Sequence, residues 1–170
     1  MTGGRTTPII EAEMIKKSGL YFYLALACFL AILGIFIFDG YLGVYDTLFI
    51  TTGDYTQKID PGSWSEDYPA WGRSTTYGES LNFRYEIENR RFSGYQEEVV
   101  VSLAQGEEKG KELLYQEIEI DPFATKEISW VLDTSELEPA SPQVGYREYV
   151  IIITRGEVER RVMIPLTMPP

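Results

Sequence analysis

Two hydrophobic patterns divide the chain. From Leu20 to Phe38, nineteen consecutive residues carry no charge and no strongly polar side chain. A helix of that length covers roughly 28 Å, close to the ~30 Å hydrocarbon core of a bilayer. A single helix satisfies its own backbone in lipid, so the run predicts a transmembrane helix, bounded here at residues 18–38. Further on the pattern changes to alternation. Leu81, Phe83, Tyr85 and Ile87 alternate with Asn82, Arg84, Glu86 and Glu88, the period of a half-buried strand. Val99, Val101 and Leu103 repeat it, then Leu114, Gln116, Ile118 and Ile120, then Ile128, Trp130 and Leu132. Tyr149 to Thr154 is a continuous β-branched run suited to a central strand. Arg155-Gly156 turns it back into Val158, Arg160, Val162 and Ile164, or into the opposite phase through Met163. With a strand near Tyr45–Thr51 the count is about seven. The expected fold class is all-β, an antiparallel two-sheet sandwich behind one N-terminal transmembrane helix.

Residues 1–17 form a tail in which Thr7 stands as an N-cap and Pro8 as a first helical residue. It reads either as a frayed end or as a short cytoplasmic-side helix with Ile9, Ile10 and Met14 on one face. Residues 39–77 connect the anchor to the β core at 78–170. Asp39-Gly40 marks the exit from lipid, and YLGVYDTLFITTG reads as a strand or juxtamembrane extension. The stretch from Asp54 to Glu79 is rich in Gly, Pro, Ser and aromatics and shows neither period, so a long loop is expected. Pro165 to Pro170 is expected to end the last strand.

Charge then orients the chain. The formal net charge is −11, with residues 1–38 at +1 and residues 39–170 at −12 from 12 basic and 24 acidic side chains. Lys16 and Lys17 flank the apolar run on one side; Asp39, Asp46 and Asp54 follow it on the other. The positive-inside rule places the N-terminus in the cytoplasm and the C-terminal domain outside the plasma membrane, as a single-pass protein. Tyr21 and Tyr23 at one end, Tyr41 and Tyr45 at the other, suit the two aromatic belts. The run exceeds a usual signal-peptide core and no A-x-A site follows, so an uncleaved anchor is expected. Such an acidic outer domain repels nucleic acid.

Candidate chemistry is sparse. The chain has no histidine, and Cys28, its one cysteine, lies inside the apolar run, so neither a disulfide within the chain nor a His/Cys metal site is expected. Asp54, Asp60, Glu66 and Asp67 offer oxygen ligands for calcium without EF-hand spacing. No cofactor is expected. Glu86 and Glu88 form a carboxylate pair on the solvent side of a strand. With no histidine, no usable cysteine and no glycine-rich phosphate loop, the chain is expected not to be an enzyme. Two contact surfaces stand out. Ala27, Ala31 and Gly34 fall at i, i+4 and i+7, where small residues admit a partner helix. Tyr55, Trp64, Tyr68, Trp71 and Tyr77 crowd the connecting segment, either as plugs over one end of the core or as a surface for a protein or a sugar, with the first four taken as the candidate surface.

Gly78-Glu79-Ser80-Leu81, then Ile87-Glu88-Asn89, then Ile120-Asp121-Pro122 ahead of Ile128 and Trp130, resembles the immunoglobulin-like domains of archaeal and bacterial surface proteins over residues 75–168. Phe123-Ala124 stands where those domains usually carry Gly. The resemblance implies an Ig-like fold and a surface location and carries over no functional residue. Taken together, the sequence predicts a non-catalytic accessory or structural subunit of a membrane complex. Its partners are other membrane subunits and the bilayer, with a homo-oligomer left open. The alternative is a cell-surface binding or envelope-anchoring module, stator- or pilin-like or glycan-binding.

Overall fold

The computed structural model describes residues 8–60, 69–105, 110–138 and 145–167, with side chains from Leu20 onward except those of residues 40 and 41. The chain divides into two compact units, Met1–Leu42 and Gly43–Pro170.

The first unit is one helix, α1, Pro8–Leu42. It takes in most of the segment assigned to a tail, and it passes through Asp39-Gly40 instead of stopping there. Its start agrees with Pro8 as a first helical residue, because the fixed φ and absent N–H of proline suit that position. Its end falls at Gly43, whose φ of +66° is the left-handed conformation that closes a helix. Between Leu20 and Asp39 it is long and apolar enough to cross a membrane, and none of that stretch is buried. A helix that is apolar on every side, with no face turned inward, is suited to a nonpolar surround.

The second unit contains ten strands among the described residues, where about seven were expected. They are β1 Val44–Thr52, β2 Tyr55–Ile59, β3 Ala70–Trp71, β4 Thr75–Thr76, β5 Ser80–Asn89, β6 Tyr95–Ala104, β7 Lys111–Ile120, β8 Thr125–Asp133, β9 Tyr146–Arg155 and β10 Val158–Thr167. One sheet has the order β2-β1-β5-β8; the other runs β3-β10-β9-β6-β7, with β4 also on β10. The pairing is not wholly antiparallel, since β3 and β4 lie parallel to β10. The long loop expected after Thr52 is also corrected, because β2, β3 and β4 fall inside it. Gly53, at φ +55°, makes the two-residue connection from Thr52 to Tyr55, and Gly156 does the same between Arg155 and Val158.

Alternation decides what each strand buries. Leu81, Phe83, Tyr85 and Ile87 are all inside, and so are Val99, Val101, Ile118, Ile120, Ile128, Ile151, Ile153 and Val162 from the other strands. Both sheets contribute to one cluster. Phe83 and Trp130, opposite each other in the β5–β8 register, stack with ring centroids 5.0 Å apart and planes 1° from parallel. Beyond Arg160 and Arg161 the last strand buries Val162, Ile164 and Leu166, settling its phase against Met163. β9 is central, between β10 and β6, as its β-branched run predicts.

Pro165 does not stop β10, which runs on to Thr167. Met163 and Thr167 carbonyls accept from the Gly72 and Tyr77 amides, so residues of that phase present their backbone toward β3 and β4. Pro165 shares the phase and has no N–H to offer. It falls where the facing strand is interrupted, between the Trp71 and Thr75 pairings.

Candidate functional site

The aromatic segment that sequence analysis marked for contact becomes a sheet edge. β2 is the outer strand of its sheet and β3 the outer strand of the other. Their short lengths follow from the residues around them. Gly72 leaves room for a close approach, since a Cβ there would lie 2.5 Å from Ile164 Cδ1 and 3.1 Å from the Met163 carbonyl, and one of them would have to shift. This close approach lets its amide donate to Met163 at 2.8 Å and holds β3 on β10. Gln57 then fastens the two edges together. Its Nε2 donates to the Trp71 carbonyl at 2.9 Å, and its Oε1 accepts from the Arg73 amide at 2.8 Å.

This clamp places two of the four predicted surface aromatics in one neighbourhood. Tyr55 is 48% exposed and Trp71 58% exposed, so both are surface groups and not plugs. The Arg73 guanidinium lies 4.3 Å from the centre of the Tyr55 ring, a cation–π contact. A shallow hollow of about 270 Å³, lined by Gln57, Lys58, Ile59, Pro69, Ala70 and Trp71, adjoins them. Trp64 and Tyr68 lie outside the described residues. The plug role belongs to Tyr77, which packs on the core and donates its hydroxyl to the Ser135 carbonyl at 3.1 Å.

Ala27 and Ala31 are exposed on α1, and nothing lies within 4 Å of a Cβ built on Gly34. Asp60 pairs with Lys58 at 2.7 Å, while Glu66 and Asp67 lie outside the described residues. Among the described residues no group of three or more His, Cys, Asp or Glu is arranged to hold a metal. Glu86 and Glu88 each face an arginine on their own strand side, Arg84 at 3.5 Å and Arg90 at 2.7 Å. The hydrogen bond from Arg90 holds the Glu88 carboxyl below the usual range.

Sequence reasoning missed the most polar part of the interior. Asp46, placed with the water-side flank of the anchor, is instead 2% exposed in β1. Its Oδ2 accepts from the Tyr85 hydroxyl at 2.9 Å and from Arg155 Nη2 at 3.3 Å, with Arg160 Nε at 3.6 Å. Arg155 also donates to the Tyr95 hydroxyl at 2.5 Å, and Tyr95 donates to Glu97 at 2.8 Å. The cluster ties β1 and β5 of one sheet to β6, β9 and β10 of the other. Burial pushes the Tyr85 hydroxyl far above the ordinary tyrosine value, and the neighbouring Asp46 charge adds to it. Asp46 Oδ1 has no hydrogen-bond donor among the described residues. Each member sits in the apolar phase of its strand: Asp46 with Leu48 and Ile50, Tyr85 with Phe83 and Ile87, Arg155 with Ile151 and Ile153, Arg160 with Val162 and Ile164. One acidic and two basic residues in buried phases were the available signal.

No protein-family model matches the sequence, and no curated protein matches it. Solved structures align with part of the chain. A β-glucosidase from Erythrobacter marinus aligns over 55% of this chain and 14% of its own, at 13% identity and a TM-score of 0.43. A β-glucosidase from Listeria innocua in complex with glucose aligns over 72% and 16%, at 14% identity and 0.42. A β-glucosidase involved in saponin metabolism from intestinal bacteria aligns over 75% and 16%, at 12% identity and 0.45. The chain thus spans about one-sixth of the length of these structures. The expectation that the chain is not an enzyme is corrected by this finding, because the structures it aligns with are enzymes. At these scores the likeness carries neither an activity nor a catalytic residue to this chain.

Proposed function

We propose that the chain is a single-span accessory or structural subunit of a membrane protein assembly. In this reading α1 is its permanent tether, with the N-terminus in the cytoplasm, and the second unit is an Ig-like β-sandwich presented outside the plasma membrane. Lys16 and Lys17 ahead of the apolar run support the orientation. Partner subunits contact the edge made by Tyr55 and Trp71, and Ala27, Ala31 and Gly34 receive a neighbouring helix. The observation that carries the reading is that edge. Two large aromatics stay exposed on short strands whose backbone is pinned by Gln57. Aromatic rings on a rigid support give large contact area with few rotors to freeze, the property of interface anchors.

Gentle detergent extraction of the intact chain followed by native mass measurement tests this. Co-migration with other membrane proteins is expected, and it should be lost in a Tyr55→Ala/Trp71→Ala variant and in Ala31→Leu or Gly34→Leu. Phe29→Trp, on the opposite face of α1, should retain it. A monodisperse wild-type chain that binds nothing overturns the proposal.

A further inference from the structure

The end of the second unit where the chain leaves α1 carries an unusual group of side chains. Asn89, fully buried at the end of β5, organises it. Its Nδ2 donates to the carbonyls of Ser93, Ile120 and Asp121 at 2.9, 3.2 and 3.1 Å. Its amide donates to Ala124 at 2.9 Å, and the next amide, of Arg90, donates to the Gly43 carbonyl at 3.2 Å. One buried side chain and its backbone therefore fix the β5–β6 loop and the β7–β8 turn beside Gly43, the residue that follows α1. Those two loops present Phe92, 48% exposed, and Phe123, 59% exposed, in edge-to-face contact with centroids 5.0 Å apart. Tyr45 stands close by, 41% exposed beneath the Arg90 guanidinium at 4.3 Å.

Phe123 is the telling residue. Its φ is +58°, and it is the one described non-glycine residue with positive φ. It follows Pro122 in a turn closed by the Ala124 amide on the Asp121 carbonyl, where glycine meets no steric resistance. A strained backbone and an exposed aromatic ring both work against folding, so the ring's use lies outside the fold.

We propose that Phe92 and Phe123, with Tyr45 and the arginines Arg90 and Arg91 around them, form a tip that inserts into the headgroup region of the bilayer that α1 spans. The inference rests on the reading of α1 as a transmembrane helix. Chain length selects lipid as the occupant. The apolar span ends at Asp39, and the chain from Asp39 to Gly43 covers at most about 14 Å fully extended. Aromatic rings and arginines with apolar stems are the side chains that settle at that depth. The Tyr55 edge leaves from the far end of β1, about 26 Å along the strand from Val44, so the two surfaces are separate.

The test uses the full chain reconstituted alone into phosphatidylcholine vesicles doped with bromine-labelled phosphatidylcholine. Resistance to alkaline carbonate is measured first; release at that stage overturns the tether itself, not the tip. For chains that remain, a Phe123→Trp variant is expected to add a blue-shifted tryptophan emission that shallow bromine quenches. A Tyr115→Trp variant, on the outer strand β7, should add emission that bromine leaves unchanged. Equal behaviour of the two added tryptophans overturns the proposal. A Phe92→Ser/Phe123→Gly variant, which keeps a residue suited to positive φ, should melt like the parent chain in detergent. In vesicles it should lose the protection of the β5–β6 loop from protease that the parent shows; unchanged protection also overturns the proposal.

Discussion

α1 and β5 both depend on apolar residues, yet they use them in opposite ways. In α1 every apolar side chain from Leu20 to Phe38 is in contact with the surroundings, and none of the span is buried. In β5 only alternate residues are apolar, and Leu81, Phe83, Tyr85 and Ile87 are all within 1% of complete burial. The difference is one of period. A run without polar interruption has no second face to give to water, whereas alternation supplies one face for a core and one for solvent. The spacing of apolar residues, and not only their number, sets the exposed apolar helix apart from the core strand.

Paired substitutions break or sharpen that contrast. Truncating a ring in each element gives the largest difference. Phe83→Ala should lower the stability of the β unit by about 3–5 kcal/mol, since it removes a buried ring and its stack on Trp130. Phe29→Ala in α1 should leave the same transition unchanged, as followed by denaturant melting of the intact chain in detergent. A comparable loss from both would mean that α1 contributes to the core.

A smaller effect is expected at the polar cluster inside the core. Tyr85→Phe should cost about 1–3 kcal/mol by taking a donor from buried Asp46. The same hydroxyl sets a pH dependence. Its pKa is raised in the folded state, chiefly by burial, so its contribution is complete below about pH 10, the ordinary tyrosine value, and declines as pH rises further. Alkaline melting should therefore be steeper in the parent than in Tyr85→Phe; identical slopes would place the titrating group elsewhere. Least of all, Arg161→Ala removes a half-buried surface pair with Glu159 at 2.6 Å and should change stability by about 0–1 kcal/mol. That pair and the Asp46–Arg155 pair have the same chemistry at different depths.

Where one face is buried and the strand is long, the sequence announced itself. β5, β6, β8 and β9 follow from Leu81 to Ile87, Val99 to Leu103, Ile128 to Leu132 and Tyr149 to Thr154. β2, β3 and β4 did not. At five, two and two residues they are too short for a period to register, and the surrounding Gly, Pro and aromatics read as loop. Asp46 was misplaced for a related reason. Its nearness to the apolar run in sequence was given more weight than its phase with Leu48 and Ile50. Of the candidate surface, Tyr55 and Trp71 were legible as aromatics in a polar stretch. The role of Gln57 was not, because a side-chain clamp on backbone groups 14 and 16 residues away leaves no local trace. Phe123 carried a signal of another sort, a bulky residue directly after Asp-Pro, where turn geometry calls for glycine.

The proline inside β10 has a consequence for how copies of the chain meet. A strand's outer rim is a template on which another molecule can zip, one donor and one acceptor at a time. Here that rim is already occupied over two short patches, and the gap between them is held by a residue that cannot donate. A second molecule arriving there finds no continuous ladder to extend, so strand-to-strand polymerisation would have to begin at another outer strand, β2, β7 or β8 among the described residues.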